Sequence, residues 1–225
     1  MSQAQRKKKQ SSVSSSRRAI VIVAVGVAVA AAVAIGISSG TSAPSIDGSD
    51  PATIVTGQFQ EVTVAGAALP VLPKSGDDPA LGGPAPVLTG SDFRSNRVTV
   101  NSADDTRDTL LVFLAHWCPH CNEEVPKLIE WKEQGLVPAN LRVVGITTGS
   151  RNDAPNWPPS DWIEEKKWPF EVLADDENQT AAMAYGLNAY PFMAIVDADG
   201  VLRARFSGVV EPTALNEIIA AALKK

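Results

Sequence analysis

Apolar positions in the second half of the chain fall into short runs whose period switches between that of a strand and that of a helix. Arg97 to Val100 is a short strand candidate, and Thr109 to Ala115 (TLLVFLA) is a continuous apolar run of strand length. Pro119 to Gln134 has helical spacing, with Val125, Leu128, Ile129 and Lys132 on one face, and Gly135 suits its C-terminal cap. Leu141 to Thr147 (LRVVGIT) reads as a second buried strand, followed by a loop rich in Pro and Trp from Gly149 to Pro159. Ser160 can cap a short helix over Asp161 to Lys167, acidic in its first turn and basic in its last, as the helix dipole favours.

Glu171 to Leu173 is a short strand candidate, and Glu177 to Tyr185 is helical and closed by Gly186. Phe192 to Asp197 and Val201 to Phe206 flank Ala198-Asp199-Gly200, a tight hairpin turn. Glu211-Pro212 opens a last helix to Leu223, with Leu215, Ile218, Ile219 and Leu223 on one face. The order β-α-β-α followed by β-β-α combines a parallel crossover with a terminal antiparallel hairpin. The expected class is α/β, with a thioredoxin-like fold: a central mixed sheet and flanking helices.

The first half is patterned differently. Residues 1–18 are Ser, Gln, Lys and Arg with almost nothing apolar, which predicts a disordered tail. Ala19 to Ile37 holds only Ala, Val, Ile and Gly, and at about 1.5 Å per residue it nearly matches a bilayer core of roughly 30 Å. It is expected to be a transmembrane anchor, longer than the apolar stretch of a cleavable signal peptide, although cleavage after Ala43 stays open. Residues 38–82 are expected to form a tether and N-terminal extension, with one or two short strands between Thr53 and Ala65 and an irregular proline-rich connector from Leu69 to Pro86. The main domain is expected to occupy 83–225.

Charge orients this arrangement. Arg6, Lys7, Lys8, Lys9, Arg17 and Arg18 all precede the apolar run, so the positive-inside rule keeps the N-terminus in the cytoplasm and puts the rest outside a bacterial cell membrane, as a single-pass protein. The remaining chain carries 14 basic against 25 acidic residues, a formal charge of −11. Such a surface repels phosphate backbones, and nucleic acid is excluded as a partner.

Candidate chemistry concentrates in Trp117-Cys118-Pro119-His120-Cys121. A cysteine directly after a strand and at the start of a helix meets backbone N–H groups that lack intrahelical partners, which favours a thiolate there. Cys118 is therefore the expected nucleophile, and Cys121, one turn on and within disulfide reach, the resolving thiol of a redox-active Cys118–Cys121 disulfide. Pro119 suits the first helical turn. His120, when protonated, adds positive charge beside Cys118, which stabilises the reduced pair and makes it more oxidising. A zinc site would need two ligands beyond the cysteines, and two Cys with His116 and His120 this close together cannot easily enclose one ion tetrahedrally; a c-type haem site would need His where Asn122 stands, and a four-residue disulfide loop contributes little as a structural bridge. No metal and no cofactor is expected.

LVFLAHWCPHCNEEVP, EVLADD, AYGLNAYPF and VDADG are similar, in that order, to the TlpA-like proteins, membrane-anchored thiol–disulfide oxidoreductases of the thioredoxin superfamily. The likeness runs from about Gly83 to Lys225. It implies that Pro191 is a cis-proline facing the cysteines, that Trp117, Tyr190 and Pro191 seat the substrate, and that Glu124 modulates proton transfer. It also makes Pro126 the proline that kinks the active-site helix. Two departures stand out: Val112 occupies the place where thioredoxin-type proteins often carry a buried acid, and Pro119-His120 is the dipeptide of DsbA-like oxidants inside a sequence otherwise similar to a group with many reductants.

Trp157, Trp162 and Trp168 are expected to pack their loop and helix against the core, the alternative being a peptide-binding rim. The expected activity is extracytoplasmic exchange with protein thiols or disulfides, served by a redox partner that recycles the site. His120 tips the expected direction slightly towards oxidation of secreted protein thiols. Reduction of an envelope partner, as in haem attachment, and a non-catalytic binding module are the alternatives.

Overall fold

The computed structural model describes residues 57–224. In chain order its elements are β1 (Thr63–Ala65), β2 (Val87–Ser91), β3 (Arg97–Val100), β4 (Asp108–Leu114), α1 (Pro119–Glu133), β5 (Leu141–Thr147), α2 (Pro159–Glu165), β6 (Glu171–Ala174), α3 (Thr180–Ala184), β7 (Phe192–Val196), β8 (Leu202–Ser207) and α4 (Pro212–Ala222). The sheet runs β1-β2-β6-β5-β4-β7-β8, with β3 paired to β2. β4 is parallel to β5 and antiparallel to β7, so the crossover and the terminal hairpin join in one mixed sheet of thioredoxin-like type.

β4 shows why a continuous apolar run is needed at the centre. Successive side chains point to opposite faces. Leu110, Val112 and Leu114 enter a core with Val125, Leu128 and Trp131 of α1 and Leu215 and Ile219 of α4. Leu111 and Phe113 enter a second core with Ala181, Tyr185 and Phe192. Covered on both faces, the strand has no side left for polar residues.

Several elements differ from the sequence pattern. The buried positions of α1 are Cys121, Glu124, Val125, Leu128 and Trp131, so its inner face is rotated from the expected one and Lys132 lies outside, over the Phe170 ring at 5.0 Å. α2 starts at Pro159, and Ser160 lies inside it with its hydroxyl on Asp161 rather than capping it. α3 starts only at Thr180, because Gln179 is left-handed (φ 59°) and the first helical amides are taken by Asp175 and Asp176: Thr180 N–H donates to Asp176 Oδ1 at 3.0 Å and Ala181 N–H to Asp175 Oδ1 at 2.8 Å. β2 has no counterpart in the sequence reading, since VLTGS lacks a clear alternation.

Residues 57–82 are integral to this domain, so packing shows no break at residue 83. β1 pairs with β2, Leu69 and Leu72 N–H donate to the carbonyls of Ala184 and Gly186, and Asp78 pairs with the buried Arg205 of β8. Arg205 also donates to the carbonyls of Pro70 and Tyr185, at 2.8 Å each. A polar and proline-rich segment can pack this way because its Pro70 carbonyl is met by the Arg205 guanidinium and its Leu69 and Leu72 N–H groups are met by carbonyls at the end of α3. The expected tail and anchor, residues 1–37, and the tether to residue 56 lie outside the described residues. Among the described residues no helix is long and apolar enough to cross a membrane.

Candidate active site

β4 ends in the middle of the sheet, and the chain turns at once into α1. Cys118 is the N-cap residue, in extended conformation, with Pro119 at the first helical position. Its N–H donates to the Ala115 carbonyl at 3.0 Å, closing the turn. Cys118 retains 6% exposure and Cys121 none. Both cysteines are free in this structure. Cys121 Sγ accepts a hydrogen bond from Ala115 N–H at 3.4 Å. Burial is the main cause that pushes the Cys121 thiol well above its ordinary range, and the nearby Cys118 and Glu124 add to it.

Across from Cys118 lies the Tyr190–Pro191 peptide bond, which is cis, with the Tyr190 carbonyl oxygen 3.9 Å from Cys118 Sγ. Trp117 meets the Tyr190 ring edge-on at 5.8 Å, and its indole N–H donates to the Gly149 carbonyl at 2.8 Å. Burial raises the Tyr190 phenol to about 12, and its hydroxyl donates to Gln179 Oε1 at 3.0 Å. Trp117, Cys118, Tyr190 and Pro191 therefore cluster together, with Cys121 buried one turn behind Cys118.

Glu124 and His120, one turn apart on α1, differ in exposure. Glu124 is fully buried, one turn beyond Cys121, and burial pushes its carboxyl up to about 7 despite a hydrogen bond from Val210 N–H. Its Oε1 has no hydrogen-bond partner among the described residues. His120 is 71% exposed, with Nδ1 3.8 Å from Glu123 Oε2.

A ring of residues to which the sequence pattern assigns no role in the site holds it in shape. His116 is 1% exposed; its Nδ1–H donates to the Pro155 carbonyl at 2.7 Å while Nε2 accepts from Arg151 N–H at 3.1 Å. These two bonds fix the neutral tautomer, and burial depresses the pKa of the ring below 6.5. The His116 carbonyl takes N–H groups from Asn122 and Asn156, and Asn122 Oδ1 takes the indole N–H of Trp162. Of the three clustered tryptophans, Trp162 and Trp168 are core residues, while Trp157 is half-buried against His116 and Phe59. No local spacing announces the contacts to Arg151, Pro155, Asn156 and Trp162, whose partners lie 35 to 40 residues away.

Chemically, the arrangement offers one accessible sulfur, one buried sulfur a turn behind it, a buried carboxyl able to exchange a proton near neutrality, and an opposing backbone edge beside aromatic rings. Such a site can pass a disulfide to and from another polypeptide.

The AhpC/TSA family model matches residues 81–205. The chain belongs to the AhpC/TSA family. Within it, the thiol:disulfide interchange protein DsbE of Pseudomonas aeruginosa is 27% identical over 144 residues, covering 64% of this chain and 69% of the relative. The DsbE protein of Pasteurella multocida is 23% identical over 137 residues, covering 60% and 71%. Among solved structures, a DsbE-type interchange protein from Chlorobium tepidum superposes with a TM-score of 0.53 at 22% identity, over 64% of this chain and 97% of that one. These likenesses carry the thioredoxin-like fold. Together with its two-cysteine site, they make this family member a thiol–disulfide oxidoreductase.

Proposed function

We propose that this chain is an envelope enzyme, anchored by residues 19–37 with its N-terminus in the cytoplasm, that reduces disulfides in extracytoplasmic protein partners. The Cys118 thiolate attacks one sulfur of the partner disulfide, forming a mixed disulfide and releasing the partner's first thiolate. Glu124 accepts the proton of Cys121, and the Cys121 thiolate attacks Cys118 Sγ. That step forms the Cys118–Cys121 disulfide and frees the partner's second thiolate, so the partner gains two electrons and the enzyme loses two. A separate dithiol partner returns the enzyme to its starting state. The Tyr190–Pro191 edge and Trp117 seat the partner backbone.

The observation that carries the direction is the exposure of His120. A strong oxidant is one whose reduced form is stabilised, usually as thiolate. His120, the feature that favoured oxidation, has its side chain 71% exposed, where solvent screens it from Cys118, and its Nδ1 lies 3.8 Å from the Glu123 carboxylate. The midpoint potential of Cys118–Cys121 tests the reading: a value near or below roughly −270 mV supports it, and one near roughly −120 mV makes the enzyme an oxidant. Replacing Cys121 by Ala should trap thiol-sensitive adducts in cells, and their absence would remove the exchange mechanism itself.

A further inference from the structure

Arg151 is exposed, and its guanidinium carbon sits 4.5 Å from the centre of the Trp117 ring. The contact is braced from both sides. The Arg151 N–H is held by His116 Nε2, and the Trp117 indole N–H is held by the Gly149 carbonyl. A guanidinium stacked on an aromatic face keeps its in-plane N–H donors free for a carboxylate, which it can bind with two parallel hydrogen bonds. Among the described residues no carboxylate forms an ion pair with it, in a chain whose residues after 38 carry a formal charge of −11. Trp117 immediately precedes Cys118 and packs on Tyr190, so this cation stands within two or three residues' reach of a polypeptide disulfide-linked to Cys118.

We propose that Arg151 is a specificity-determining residue that selects partner polypeptides with an Asp or Glu close in sequence to the reacting cysteine. The inference rests on the thiol–disulfide exchange reading and names the substrate class of that site. On a domain of net negative charge, Arg151, its backbone held by His116 and its guanidinium stacked on Trp117, favours an acidic segment where the partner passes Cys118 and disfavours a basic one there.

The test measures second-order rates of disulfide reduction by the reduced full-length protein in detergent. The substrates are peptide disulfides of one sequence carrying Glu, Gln or Lys on either side of the reacting cysteine. For an exposed charge pair, Glu peptides should react about three- to fivefold faster than Gln peptides, with Lys peptides slower still. The preference should shrink at 0.5 M salt, where exposed charges are screened. Arg151→Gln should bring the Glu-to-Gln rate ratio to about one, and Arg151→Glu should invert the order. A role confined to packing on Trp117 would change all three rates alike and preserve their order in both variants, and that result overturns the inference, as does equal reactivity of the three peptides with the unaltered protein. Failure to exchange with any peptide would instead sink the exchange reading, and the inference with it.

Discussion

The Val210 N–H donates to Oε2 of Glu124 at 2.8 Å, while Oε1 of the same carboxyl has no partner among the described residues, three residues from the buried Cys121. A carboxyl in that position is half prepared for charge. Its value near 7, against an ordinary 4.5, makes it a proton acceptor matched to neutral conditions. The rate at which Cys121 resolves a mixed disulfide should therefore rise as pH passes through about 7. Glu124→Gln should remove that inflection and slow the step at pH 8, which stopped-flow release of a partner thiol would read.

The same group predicts a stability effect. Between about 4.5 and about 7 the unfolded chain releases the Glu124 proton and the folded chain keeps it, so its contribution to stability falls as pH rises across that window. Glu124→Gln should flatten this dependence and leave the protein more stable at pH 8 by on the order of 2 kcal/mol, as measured by denaturant titration at both ends of the window.

His116 works with the opposite sign. Its folded value is depressed by burial, so below about 6.5 the unfolded chain takes up a proton that the folded chain refuses, and stability declines as pH falls. His116→Phe should abolish that decline while costing about 1–2 kcal/mol at pH 8, through loss of the bonds to Pro155 and Arg151. Hydrogen exchange should then quicken at the Arg151 amide.

Trp131 ties α1 to α4 by donating to Asn216 Oδ1 at 3.0 Å from a fully buried position. Trp131→Phe keeps an aromatic ring but removes the donor and some volume, and should cost about 2 kcal/mol in urea unfolding. If the loss is below a few tenths of a kcal/mol, the two helices are held by other contacts.

Gly186 has a φ of +65°, and a Cβ there would lie 2.2 Å from the Pro70 carbonyl oxygen. Gly186→Ala should destabilise by roughly 2–4 kcal/mol and loosen the segment around Pro70. Limited trypsin digestion at the exposed Lys74 would report the loosening.

Much of this structure was legible from periodicity. β4, β5, the β7–β8 hairpin and α4 lie within a residue or two of their expected bounds, because each is long enough for its apolar pattern to be unambiguous. The cysteines were legible because their chemistry is local: a strand, a Cys, a Pro and one helical turn. What sequence could not convey was contact over distance. His116 drew notice only as an improbable metal ligand, yet it holds a loop 35 to 39 residues away. Arg151 lies in a loop with no periodic pattern, and its place over Trp117 depends on that same anchoring. The inner face of α1 was misjudged because Trp131 and Glu124, an aromatic with a polar edge and a carboxylate, are buried through partners on α4 and beyond β8.

The Arg205–Asp78 pair has a practical side. A fragment begun at residue 83 would omit Asp78 and the Pro70 carbonyl and strand a guanidinium whose side chain is fully enclosed. An uncompensated buried charge of this kind typically costs about 3–5 kcal/mol, a large share of a small domain's total stability. Soluble versions of the catalytic domain should therefore start before Leu69, and stability, far from either cysteine, depends on keeping the 69–78 stretch.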